Sequence, residues 1–152
     1  MNLATIYVDG DGCPVKDEVY KVAKRCGVPV KVVANSWMQM PDSDAIELVV
    51  VGQGFDEADD WIVAHAGKRD IVITADIPLA ARCLKNGARA IGPKGRVFTD
   101  ETIGDALAKR EILSSMREHG EMTGGPAPFQ QKDRSRFLQR LDEAVRACLR
   151  EE

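Results

Sequence analysis

No apolar run in the chain approaches the roughly 18 to 20 residues of a membrane-spanning helix, so a helical membrane anchor is excluded. The opening stretch, MNLATIYVDGDG, lacks a basic leader and a small-residue cleavage site, and it reads as a strand rather than a secretory signal. Cysteine is sparse: Cys13, Cys26, Cys83 and Cys148 form no Cys-x-x-Cys pair, which removes a zinc frame. Widely spaced thiols point to a reduced, cytoplasmic protein without a disulfide scaffold. A basic excess is missing too. With 21 Lys and Arg against 24 Asp and Glu, the formal charge of −3 rules out a general cationic coat that holds nucleic acid by charge alone. A nucleic-acid enzyme whose acidic pocket is masked by bound cations fits that balance. There is no internal repeat.

What is present is an alternation of short β-branched runs and longer helical patterns. At 152 residues and 44% hydrophobic content, the chain suits one compact domain spanning 1–152. Strands are expected at LATIYV (3–8), VKVVA (30–34), AIELVVV (45–51), DIVITA (70–75) and ARAI (88–91). Helices are expected over 14–26, 55–66, 77–86, 102–118 and 133–150, the first three closed by Gly27, Gly67 and Gly87. HGEMTGGPAPFQQ (119–131) reads as a Gly/Pro-rich loop. Beyond it, Phe137, Leu138, Leu141, Val145, Cys148 and Leu149 recur at helical spacing, so the last helix should dock on the core. The pattern predicts an α/β fold: a doubly wound, mainly parallel sheet of about five strands with helices on both faces.

In such a sheet, ligands bind beyond the carboxyl ends of the strands, near the point where strand order reverses. Three predicted strand ends deliver acids there: Asp9 and Asp11 in YVDGDGC, Asp56, Asp59 and Asp60 in GFDEADDWI, and Asp76 in ITADIPLA. The three acids of the second helix are three and four residues apart and can share one face. Clustered carboxylates repel one another unless neutralised, and hard cations such as Mg²⁺ or Mn²⁺ are held by a few carboxylates with water. Each acid also has a plainer role. Asp56 and Asp76 suit helix N-caps, Asp59 suits a helix dipole, and Asp11 suits a turn.

The chain resembles the YaiI/YqxD family of bacterial proteins, within the PIN-like fold group, along almost its whole length. The resemblance rests on VDGDGCPVKDE (8–18), VVANS (32–36), GFDEADDWI (54–62), ITADIPLAARCLKNGA (73–88), GPKGRVFT (92–99) and GGPAPFQQKDRSRFLQRLD (124–142). Thr74-Ala75-Asp76 is similar to the Thr-x-Asp strand end of PIN-type nucleases, whose metal lies between that Asp and one after the first strand, here Asp9. The resemblance implies a PIN-like domain with an acidic site. Where those nucleases carry a further acid, this chain has Pro93-Lys94-Gly95, so Asp11, Asp59 or Asp60 is expected to fill its place.

Several other groups are placed to touch a phosphate. Lys132, Arg134 and Arg136 open the last helix, where cations oppose the dipole unless they serve an anion; a solvated face capped by Asp133 is the plainer alternative. Lys94 and Arg96 have a similar pair of readings. Asn35 and Ser36 follow the second strand and suit either a phosphate contact or an ordinary turn. Cys13, beside Pro14, lies at a helix start where a thiol can be activated, although neither His65 nor His119 is a visible partner. Trp37, Met38 and Met40 suit a lid, a base-stacking surface, core packing or an interface; a homodimer is a compatible assembly.

The leading expectation is a Mg²⁺- or Mn²⁺-dependent phosphodiesterase or nuclease acting on RNA or other single-stranded nucleic acid. Asp9, Asp11, Asp56 and Asp76 would hold metal, Asp59 would complete the shell or orient water, and Lys132, Arg134 and Arg136 would position the backbone. A non-catalytic metal- or nucleic-acid-binding protein on the same fold is the first alternative. A haloacid dehalogenase-like phosphatase, with Asp9 as nucleophile and Asp11 as acid/base, is the second.

Overall fold

The structure, a computed structural model, describes residues 4–54, 56–118 and 128–150. The elements run β1 (Ile6–Asp9), α1 (Lys16–Cys26), β2 (Val30–Ala34), β3 (Ile46–Val50), α2 (Glu57–His65), β4 (Ile71–Ile73), α3 (Ile77–Lys85), β5 (Arg89–Ile91), β6 (Val97–Phe98), α4 (Asp100–Glu118) and α5 (Gln131–Arg150). They form one six-stranded sheet in the order β3-β2-β1-β4-β5-β6. All neighbours are parallel except β6, which runs antiparallel to β5. The chain therefore winds outward from β1 in one direction and, after β4, in the other. That is the doubly wound α/β arrangement.

Side-chain alternation explains why both faces need helices. Ile6 and Val8, Val30 and Val32, and Ile71 and Ile73 point to one face, where α1 (Val19, Val22) and α5 (Phe137, Leu141, Val145) cover them. Tyr7, Val33 and Val72 point to the other, beneath α2 (Ala58, Ile62) and α3 (Leu79, Cys83). Burying a side chain such as Phe137 or Leu141 completely contributes about 1.5–3 kcal/mol. The register of β1 is thus fixed by its apolar face, which sends Asp9 to the α2–α3 side.

The sheet has a sixth strand where the sequence suggested about five. Gly92 N–H donates to the Arg96 carbonyl at 2.8 Å and Gly95 N–H to the Gly92 carbonyl at 2.9 Å. This tight turn, with Gly95 at φ 89°, folds Val97–Phe98 back onto β5. A two-residue strand is too short to show periodicity. The first helix starts at Lys16 rather than Pro14, and the second at Glu57 because Asp56 is left-handed at φ 65°. The last two helices start two residues early, at Asp100 and Gln131. Of the predicted 119–131 loop, residues 119–127 lie outside the described residues, as does His119; 128–130 are non-helical. No helix among the described residues is long and apolar enough to cross a membrane.

Candidate functional site

Strand order reverses between β1 and β4, and the acids of YVDGDGC and ITADIPLA meet at that point. Asp9 closes β1, while Thr74, Ala75 and Asp76 carry the chain from β4 into α3. Both glycines of DGDG are backbone requirements. Gly10 N–H donates to the Val33 carbonyl at 2.8 Å, and a Cβ there would lie 2.7 Å from Val32 Cγ1 and 2.9 Å from the Val33 oxygen. Gly12 adopts φ 76°, a left-handed turn that glycine enters without steric cost. The tight exit leaves Asp9 and Asp11 beside the crevice.

A single hydroxyl joins the two central acids. Thr74 Oγ1 donates to Asp9 Oδ2 at 2.9 Å and accepts from the Asp76 N–H at 2.9 Å. Asp76 in turn caps α3, its Oδ1 accepting from Leu79 N–H at 3.1 Å. Asp11 Oδ2 accepts from Asn35 N–H at 3.1 Å, and Asn35 Nδ2 donates to the Gly52 carbonyl at 2.8 Å, so the ends of β1, β2 and β3 are laced together. Burial pushes Asp9 above the ordinary carboxylate range, with Asp76 and Asp11 adding to the rise and the Thr74 hydrogen bond opposing it.

The acids of α2 divide. Asp56 occupies the N-cap position but its side chain makes no capping hydrogen bond. Asp59 is pushed up to about 6, by burial first and then by Asp76, Asp9 and Asp56. Asp60, expected on the same face, instead pairs with Arg82 of α3 at 2.9 Å. The crevice has two lobes sharing Asp9, Asp11 and Asp76. One, of about 390 Å³, is completed by Asn35, Asp56 and Asp59. The other, of about 360 Å³, is completed by Cys13, Pro93 and Arg110.

The basic residues expected along a substrate path have other places. Arg134 Nη1 bonds Glu18 Oε1 at 2.8 Å and the Pro14 carbonyl at 3.3 Å, and its guanidinium lies 4.9 Å from the Phe129 ring centre. Arg136 packs on the Gly95 turn, Lys132 is exposed, and none of the three lines either lobe. Gln130 N–H donates to Asp133 Oδ2 at 2.9 Å, the capping role the sequence offered as the alternative. Ser36 is exposed and outside both lobes, and Trp37 is 75% exposed while Met38 and Met40 pack on the core. Cys13 lines a lobe, yet burial pushes its thiol up, opposite to activation. His65 stacks on Trp61 at 3.7 Å. Arg110 has no motif around it; only the packing of α4 brings it to the crevice.

Among the described residues, no three His, Cys, Asp or Glu side chains converge closely enough to hold an ion as they stand. The donor set is nonetheless all carboxylate oxygen, and at Asp59 burial first and then its acidic neighbours raise the carboxyl. Mg²⁺ commonly uses one or two carboxylates and keeps several waters, for which lobes of this size have room. By donor chemistry alone, a set of carboxylate oxygens suits a hard divalent cation.

Residues 7–147 match the family described as "Uncharacterized BCR, YaiI/YqxD family". A "UPF0178 protein" of Nitrobacter winogradskyi is 55% identical over 99% of this chain and 96% of its own length. One of Caulobacter sp. is 56% identical over 94% of this chain and 95% of its own, and one of Rhodopseudomonas palustris 50% identical over 99% and 97%. No solved structure matches the chain.

Proposed function

The chain belongs to the YaiI/YqxD family, and we propose that it is a divalent-metal-dependent phosphodiesterase of the PIN-like kind acting on RNA or other single-stranded nucleic acid. The observation that carries this reading is the Asp9–Thr74–Asp76 connection at the switch point, facing Asp59 with its carboxyl raised to about 6. Asp9 and Asp76 would hold Mg²⁺ or Mn²⁺, with Asp11 and Asp56 as further oxygen donors. The chemistry a divalent cation supplies in such a setting is neutralisation of phosphate charge and acidification of water. Asp59, raised to about 6, is suited to orient water and take its proton. Thr74 holds one oxygen of the Asp9 carboxylate, leaving the other for a ligand.

A specific observation also favours the non-catalytic reading. Asp11 and Asp76 already accept hydrogen bonds from Asn35 and Leu79, so an acidic binding site can exist without turnover. The phosphatase reading has less support: no lysine lines either lobe among the described residues. Incubating end-labelled single-stranded RNA and DNA with Mn²⁺ distinguishes these. Cleavage abolished in Asp9→Asn and Asp76→Asn supports the hydrolase; metal-dependent binding of intact strands supports the binder.

A further inference from the structure

The two lobes differ in charge, and the difference gives the crevice a direction. The lobe toward α2 is lined by Asp56, Glu57 and Asp59 with no cation among its described walls. The lobe toward α4 carries one cation among its described walls, Arg110. The Arg110 side chain makes no ion pair or hydrogen bond with any described residue. Arg110 and the central carboxylates of Asp9 and Asp76 thus line one open crevice of about 360 Å³.

α4 packs against α3, with Ile103 on the Ala80 and Phe98 cluster, and this packing stands Arg110 at the crevice. Among its described side chains only Ala106 is buried, while Ile112 is 60% exposed. An anion entering over Asp9, Asp11 and Asp76 would meet three carboxylates, and among the described lining residues the cation that offsets them is Arg110. Arg offers a planar fork that holds two phosphate oxygens at once. Among the described residues no aromatic side chain lines this lobe, so they offer no platform for stacking a base.

We infer that Arg110 seats the phosphodiester of the substrate, so that a single-stranded nucleic acid enters from the α4 and Pro93 side and is read there through its backbone. The inference rests on the metal-dependent reading above. Arg110 is a binding residue in this account, and its removal should leave the cation site intact.

Two titrations separate the inference from its premise. The first measures Mn²⁺ binding alone by calorimetry, and the second measures a cleavage-resistant phosphorothioate single-stranded oligonucleotide in Mn²⁺. Arg110→Ala should bind Mn²⁺ as wild type does, yet bind the oligonucleotide about tenfold more weakly, with the salt dependence shallower by about one phosphate contact. Arg110→Lys should recover part of the loss. Lys109→Ala removes a neighbouring exposed charge that lines neither lobe and should change neither titration. Equal oligonucleotide affinity in Arg110→Ala, or an equal loss in Lys109→Ala, overturns the inference while leaving the cation site standing. Failure of the wild type to bind Mn²⁺ removes the premise, and the inference falls with it.

Discussion

Thr74 holds Asp9 across the point where the sheet changes direction: its hydroxyl, in a residue 3% exposed, donates to Asp9 Oδ2 at 2.9 Å. The same oxygen accepts the Asp76 N–H, so one buried side chain sets the relation between the two acids that follow β1 and β4. A carboxylate fixed in this way offers its free oxygen in one orientation, which is what a site with few protein ligands requires.

Thr74→Val keeps the shape of the side chain and removes the hydroxyl. A hydrogen bond to a charged group is worth about 1.5–3 kcal/mol, and loss of such an outer partner typically weakens metal binding about 10–100-fold. Calorimetric titration with Mn²⁺ should show that loss in Thr74→Val and near wild-type affinity in Thr74→Ser. Carboxyl titration followed by NMR should find Asp9 raised further in the valine variant, because the hydroxyl opposes its rise.

Asp59 makes stability depend on pH. Its folded pKa is about 6, above the ordinary 3.8, so between those values the folded chain retains a proton that the unfolded chain has lost. Stability is therefore greatest below the lower value, falls as pH rises through about 6, and is level above it. Asp59→Asn removes this penalty: thermal melts should show a higher Tm than wild type at about pH 7.5 and no gain below about pH 4. A gain of equal size at both ends would contradict the assignment to this carboxyl.

Arg134 acts as a strut between α5 and the turn that carries the acidic site. Glu18 is buried and its partner Arg134 about one-third exposed. Breaking a pair of this type strands a buried charge, at a cost of about 2–4 kcal/mol once the exposure of the arginine is discounted. Chemical denaturation of Arg134→Ala should report that loss. Oligonucleotide affinity per folded molecule should be unchanged, since Arg134 lines neither lobe.

Gly10→Ala tests the close approach at the end of β1. The added Cβ would meet Val32 Cγ1 at 2.7 Å and the Val33 oxygen at 2.9 Å, the second belonging to backbone that has no rotamer to yield. Overpacking of this kind costs about 1–3 kcal/mol. Denaturant midpoints should fall accordingly, and Mn²⁺ affinity should fall too because Asp9 moves with the strand end.

The sheet was legible because its strands are buried on both faces. Runs such as IYV before Asp9 and DIVI before Thr74 leave little choice but central strands, and the acids then follow at their carboxyl ends. Asp9, Asp11, Asp56, Asp59 and Asp76, expected at or after such ends, all line the crevice. Long-range pairing carries no local signal. Nothing in GFDEADDWI separates Asp59 from Asp60; the choice is made by Arg82, 22 residues further on, which draws Asp60 outward. Arg134 and Arg136 looked like substrate contacts because cations oppose a helix start, yet Glu18 and the Gly95 turn occupy them. Arg110 escaped notice for the converse reason, since α4 reaches the crevice through tertiary packing.

The most direct test of the account is a Mn²⁺ and Mg²⁺ titration by calorimetry, comparing wild type with an Asp9→Asn, Asp76→Asn double variant. The account predicts binding by the wild type and its loss in the double variant, with both proteins folded by circular dichroism. Absence of binding at about millimolar metal by the wild type, even with a nucleotide present, would contradict it. The carboxylates would then be the caps, latches and turns that Asp76, Asp11 and the DGDG backbone already form.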